Sequence, residues 1–142
     1  MSGLARGCDT IAHKTCLTRN GKTIAILPTT FDDLYPKENK KLASVIIENG
    51  GLVITEYVNK QQNKYEGIRR FIERDRLQAM FSKAVILIAS FRQGQGDNGS
   101  RHAMQKAKEY GKLRYVMFNQ KMDLNKEIFG LNQDLLMLMR LF

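Results

Sequence analysis

Two glycine-rich segments run into helix-forming sequence and have the composition of phosphate cradles. The first is Ser2-Gly3-Leu4-Ala5-Arg6-Gly7; the second is Gly94-Gln95-Gly96-Asp97-Asn98-Gly99-Ser100. A helix N-terminus offers free N–H groups and the positive end of a dipole, and glycine lets an anion approach the backbone. Neither segment is a P-loop, because no Gly-Lys-Ser/Thr follows. Gly94-x-Gly96-x-x-Gly99 meets the bare dinucleotide pattern, but it comes late and lacks a ribose-binding acid in context. Read singly, each loop serves equally as a set of tight turns. Between Tyr57 and Lys83 stand seven cations, Lys60, Lys64, Arg69, Arg70, Arg74, Arg76 and Lys83, against Glu66, Glu73 and Asp75. Guanidinium forks suit phosphate oxygens, and Tyr65 and Phe71 among them suit stacking of unpaired bases. The plainer reading is a solvated helix face with Phe71 in the core. A second basic cluster, Arg101, Lys106, Lys108, Lys112 and Arg114, contains one acid, Glu109.

Catalytic constellations are thin. His13 and His102 are the only histidines, and both read as surface or helix-start residues. Asp32-Asp33 is the one carboxylate pair near a strand end, and it lies in a loop. No Ser or Cys sits in a nucleophile elbow, so the expectation is no catalytic residue, no metal and no cofactor. Cys8 and Cys16 have neither metal-ligand nor redox spacing and read as two free thiols on or near one helix in a reducing cytosol.

The elements that must position these residues alternate. The chain has 142 residues, 43% hydrophobic, with 23 Lys and Arg against 14 Asp and Glu, a formal charge of +9. That is one compact domain with a real core and an attraction for polyanions. No segment approaches the ~20 apolar residues of a membrane helix, and no signal-peptide run opens the chain. Strands are expected at Thr23–Leu27, Leu52–Thr55, Ala84–Ala89 and Tyr115–Phe118. The third, nearly all apolar, reads as a central strand covered on both faces. Helices are expected near Cys8, with Asp9 or Thr10 near its N-cap, then from Glu38 to Asn49 ending at Gly50-Gly51, from Ile68 to Phe81, and from Ser100 to Gly111.

This alternation gives an α/β domain with a mainly parallel sheet. Residues 1–122 form the domain, and 123–142 form an apolar, helical C-terminal tail that packs on this domain or on a second copy. Ligands of such sheets bind beyond the carboxyl ends of the strands. The segments expected there are the Gly3–Gly7 loop, the Pro28–Pro36 loop, the stretch after Thr55 and the Gly94–Ser100 loop.

The motifs themselves match a known family. Ser2-Gly3-Leu4-Ala5-Arg6-Gly7-Cys8-Asp9 with His13 resembles the leading signature of the DprA/Smf DNA-processing proteins. Gly21-Lys22-Thr23-Ile24-Ala25-Ile26-Leu27, Tyr35-Pro36-x-Glu38-Asn39, Gly51-Leu52 and Glu56-Tyr57 keep the family's order. Phe71-x-x-Arg74-Asp75-Arg76, Ser82-Lys83-Ala84-Val85, Gly99-Ser100-Arg101-His102-Ala103 and Phe129-Gly130-Leu131-Asn132-Gln133 follow. The resemblance implies a Rossmann-like three-layer sandwich that lacks the family's N-terminal strands, including their Gly-Ser-Arg loop. Pro28 and Thr30 stand where the family has glycines, and Asp75 where it has Asn.

What the resemblance implies about function is a cytoplasmic, non-catalytic protein of DNA uptake, natural transformation and recombination. It would bind single-stranded DNA, load a RecA-type recombinase and work as a homodimer, away from membranes. Gly3, Arg6, Gly7, Phe71, Arg74, Arg76, Gly99 and Ser100 would carry the DNA and phosphate contacts, with Gly96 of the second glycine loop. Two other readings use the same fold. One is a nucleotide-binding sensor. The other is a nucleotide phosphoribohydrolase similar to the LOG proteins, although Ala103 stands where their catalytic glutamate belongs.

Overall fold

The structure is a computed structural model and describes residues 1–96 and 99–139. Asp97 and Asn98 of the second glycine loop, and residues 140–142 of the expected tail, lie outside the described residues. The elements run α1 (Cys8–Thr18), β1 (Ile24–Leu27), α2 (Lys40–Glu48), β2 (Leu52–Thr55), α3 (Lys64–Phe81), β3 (Ala84–Leu87), α4 (Gly99–Glu109), β4 (Leu113–Val116), α5 (Gln120–Asp123) and α6 (Gly130–Met139). The class is the expected one, a Rossmann-like α/β fold with parallel strands. Two compact units divide it, Met1–Gln78 and Ala79–Phe142, the boundary falling in the last turns of α3.

In the first unit β1 and β2 pair in parallel, Ala25 opposite Val53 and Leu27 opposite Thr55. Side chains alternate across a strand, so Ala25, Leu27 and Val53 share one face. That face meets Leu42, Ala43 and Ile46 of α2, with Leu4 and Leu17 completing the cluster. The Gly50 and Gly51 amides return to the Ile47 and Ile46 carbonyls and end α2 where expected. On its other edge β1 is bridged by a single residue. Ser2 donates its N–H to Ile24 and accepts the Ile26 N–H.

α3 begins before the expected Ile68. Asn63 accepts the Glu66 N–H with its side chain, while Glu66 accepts the Gln62 N–H. This reciprocal cap starts the helix inside sequence that reads as a polar loop.

In the second unit β3 and β4 are parallel, Leu87 opposite Val116. Leu87 and Val85 pack with Met104 of α4 and with Leu131 and Leu135 of α6. Both helices therefore cover the same face. The expectation that β3 is covered on both faces is corrected, since Ile86 and its register partner Tyr115 are each more than half exposed. Asn132 of α6 is fully buried and closes the strand ends. Its amide donates to the Ile88 and Met117 carbonyls at 2.9 and 2.8 Å and accepts the Ser90 N–H at 3.0 Å. Among the described residues, no helix is long and apolar enough to cross a membrane.

Candidate functional site

The loop before α1 is tied down at almost every residue. The Ser2 hydroxyl donates to one Asp9 oxygen at 2.6 Å, and the Ala5 N–H donates to the other at 3.1 Å. The Thr10 hydroxyl donates to the Ala5 carbonyl at 2.7 Å. Asp9 and Thr10 thus brace the loop from within the helix, which is a correction: the N-cap is Gly7, at φ 77°, a left-handed conformation suited to glycine. Asn39 reaches across from the 3₁₀ turn before α2 and donates to the Leu4 carbonyl and the Thr10 hydroxyl, both at 2.8 Å.

His13 is the main revision of the sequence reading. It is not a surface residue but is 1% exposed, between the Gly3 carbonyl at 2.6 Å and the Thr23 hydroxyl at 2.8 Å. A carbonyl only accepts, so Nε2 carries the proton and Nδ1 accepts from Thr23. Burial, its largest influence, holds the imidazole pKa below its ordinary value, although the bond to Gly3 and the nearby Asp9 oppose this. The ring is therefore a neutral strut between the loop and β1.

From α3 comes the second wall. Phe71 and Tyr35 meet edge to face, centroids 6.1 Å apart and planes at 87°. The Arg74 guanidinium lies 5.9 Å from the Phe71 ring centre. Arg74 is buried, donates to the Ile26 carbonyl at 2.8 Å and pairs with Asp75 at 3.2 Å. Leu4, Ala5, Arg6, Pro28, Tyr35, Pro36, Phe71 and Arg74 enclose a cavity of about 260 Å³ just past the carboxyl end of β1.

Of the predicted site residues, the structure gathers Arg6, Phe71 and Arg74 around this cavity. Gly3 lies against Arg74, where a Cβ would collide with the guanidinium. Gly7 opens α1. Arg76 lines neither cavity of this unit and grips Glu56, both carboxylate oxygens within 2.7 Å. Gly96, Gly99 and Ser100 belong to the second unit. Gly96 is exposed and lies against the Phe91 ring, while Gly99 and Ser100 begin α4, half-buried.

The arginine-rich helix is more neutralised than its sequence suggests. Arg69 pairs with Glu73, Arg70 with Glu66, Arg74 with Asp75, and Arg76 with Glu56. Arg6 is bound by Glu38, which raises the pKa of one and lowers that of the other, mainly through their hydrogen bond. Lys60, Lys64 and Lys83 make no ion pair among the described residues. Tyr57, under the Arg70 guanidinium at 4.3 Å, donates to Glu73 at 3.0 Å. Burial first, then that carboxylate, pushes the phenol up to about 12.

Sequence reasoning missed His13, Asn39 and Glu38 as the residues that hold the loop. The Glu38-Asn39 pair was visible as a motif, but its role depends on a contact more than thirty residues away. Cys8 and Cys16 are free thiols on α1, as expected. Among the described residues, no three His, Cys, Asp or Glu side chains cluster to hold a metal ion.

Comparison with known proteins agrees with the motifs. Residues 1–134 match the family model described as DNA recombination-mediator protein A. Protein Smf of Borreliella burgdorferi is 37% identical over 89 residues, 61% of this chain and 27% of that protein. The DNA processing protein DprA of Streptococcus pneumoniae is 37% identical over 113 residues, 79% of this chain and 37% of that protein. The X-ray structure of DprA from Streptococcus pneumoniae superposes with a TM-score of 0.75 at 30% identity, covering 96% of this chain and 44% of that one. The chain thus spans well under half the length of these relatives. With a family match over nearly its whole length and the loop motifs built into one site, the chain belongs to the DprA/Smf family.

Proposed function

We propose that this chain is a single-stranded DNA-binding module of DNA processing, acting without catalysis. The observation that carries the reading is the cavity beyond β1, where the Arg6 and Arg74 guanidiniums stand beside the Phe71 and Tyr35 rings. Aromatic faces accept any unpaired base, and cations beside them accept the phosphates that follow. The +9 charge draws a polyanion to this surface.

The names of the relatives support DNA as the partner. Recombinase loading, DNA uptake and homodimer formation are proposed on the same kinship, as is a cytoplasmic location. The test is fluorescence anisotropy of a labelled thymidine oligonucleotide with the full chain. Affinity is expected to fall steeply between about 50 and 200 mM salt, as counterion release requires. No binding at low salt, or a flat response, overturns the proposal.

A further inference from the structure

The first unit holds a second cavity, larger than the first at about 670 Å³ and sharing its Tyr35 and Phe71 rings. This volume is within the range of small-ligand pockets. Leu34 and Ile68 extend its apolar wall, and Lys37 and Lys64 line it with Asp33 as the one acid. Thr29 lines it too. That residue is only 7% exposed, and its hydroxyl has no hydrogen-bond partner among the described residues. The Thr55 hydroxyl fixes the Thr29 carbonyl at 2.8 Å, so the segment is held while its own hydroxyl is left over. Burying a hydroxyl unpaired is costly, and a buried orphan beside a cavity is relieved by a ligand acceptor.

An apolar, aromatic interior, one orphan hydroxyl and two lysines describe the complement of a flat ring with polar edges joined to an anion. We infer that this cavity takes one nucleoside monophosphate unit. The base lies against the apolar wall and accepts the Thr29 hydroxyl proton, and the phosphate meets Lys37 and Lys64. The inference rests on the proposed function for the source of the unit, a nucleotide within a single strand. The same chemistry suits a free mononucleotide.

The experiment titrates the full chain with a labelled thymidine oligonucleotide and, separately, with thymidine monophosphate. Three variants accompany it: Thr29→Val, Thr29→Ser and Ile68→Glu. Thr29→Val deletes the hydroxyl at nearly constant volume and is expected to weaken both ligands about fivefold. Thr29→Ser keeps the hydroxyl and restores binding, which a merely structural role would not require. Ile68→Glu, at a position 51% exposed, sets a carboxylate against the phosphate and serves if Thr29→Val fails to fold.

Oligonucleotide bound, with Thr29→Val and Ile68→Glu weakened, supports both the site and the proposed function. Oligonucleotide bound equally by all variants overturns the site and leaves the function standing. Monophosphate bound and weakened in the variants, with no oligonucleotide bound, supports the site and overturns the function. No binding of either ligand overturns both.

Discussion

Arg74 donates to the main-chain carbonyl of Ile26 across 48 residues of sequence, at 2.8 Å and with both groups buried. The guanidinium ties α3 to β1. It also sits beneath Gly3, where the absence of a Cβ leaves it room. The arginine expected to meet phosphate is therefore first of all a strut.

Removing it leaves the Asp75 carboxylate and the Ile26 carbonyl without their partner. Arg74→Ala is expected to lower stability by about 3 kcal/mol, the cost of breaking a buried ion pair from one side. Urea unfolding measures this. A loss under about 0.5 kcal/mol, the usual range of surface substitutions, would show that the strut is dispensable.

Gly3→Ala tests the same contact from the other side. Its Cβ would overlap the Arg74 guanidinium and approach an Asp9 oxygen at 2.6 Å. Overpacking of this kind costs about 1–3 kcal/mol. The loss should shrink in the Arg74→Ala background, and equal losses in both backgrounds would show that the two residues are uncoupled.

His13 makes stability depend on pH. Its folded pKa lies below its ordinary value of 6.5, so the unfolded chain binds the proton more readily. Stability from this group is full above about pH 6.5 and is lost as pH falls through the depressed folded value. Acid also protonates Nδ1, which then cannot accept from Thr23. Replacing His13 with Gln should flatten the melting temperature against pH between about 5 and 7, the range in which an ordinary histidine titrates. An unchanged profile would assign the acid sensitivity elsewhere.

Glu38 and Glu56 compete with phosphate for arginines. Their partners, Arg6 and Arg76, are partly exposed and would otherwise face a polyanion unmasked. Glu38→Gln with Glu56→Gln is expected to raise affinity for a single-stranded oligonucleotide about threefold at low salt and to steepen its salt dependence. Weaker binding would mean that the carboxylates position the arginines for DNA instead of masking them.

Asn132 is the equivalent strut of the second unit. Asn132→Ala strands the Ser90 N–H and the Ile88 and Met117 carbonyls, an expected loss of about 3 kcal/mol. Amide exchange at Ser90 is expected to accelerate with it. Exchange unchanged at Ser90 would show the staple to be incidental.

Strands are the most legible part of this sequence. Leu52–Thr55 is found residue for residue, and Ile24–Leu27 within one residue, because short apolar runs between turn signals have few other uses. The glycine loop and its helix were legible for the same local reason. The roles of Arg74 and His13 were not, since each is defined by a partner on another element, Ile26 and Thr23. Charge counting also overstated the free arginines. Glu56 and Glu38 lie outside the helix they neutralise, so no window over α3 alone registers Glu56. The covering of β3 was misread because its apolar run reports the composition of both faces and the placement of neither.

The arrangement along β1 bears on how the chain behaves when crowded. On the edge away from β2, Ser2 occupies the Ile24 carbonyl and the Ile26 N–H, Arg74 occupies the Ile26 carbonyl, and Pro28 has no N–H to offer. An unpaired strand edge is a template on which other chains add themselves. Here the stretch from Ile24 to Pro28 has almost nothing left to pair. One serine, one arginine and one proline thus act as a guard against aggregation at the most hydrophobic strand of this unit.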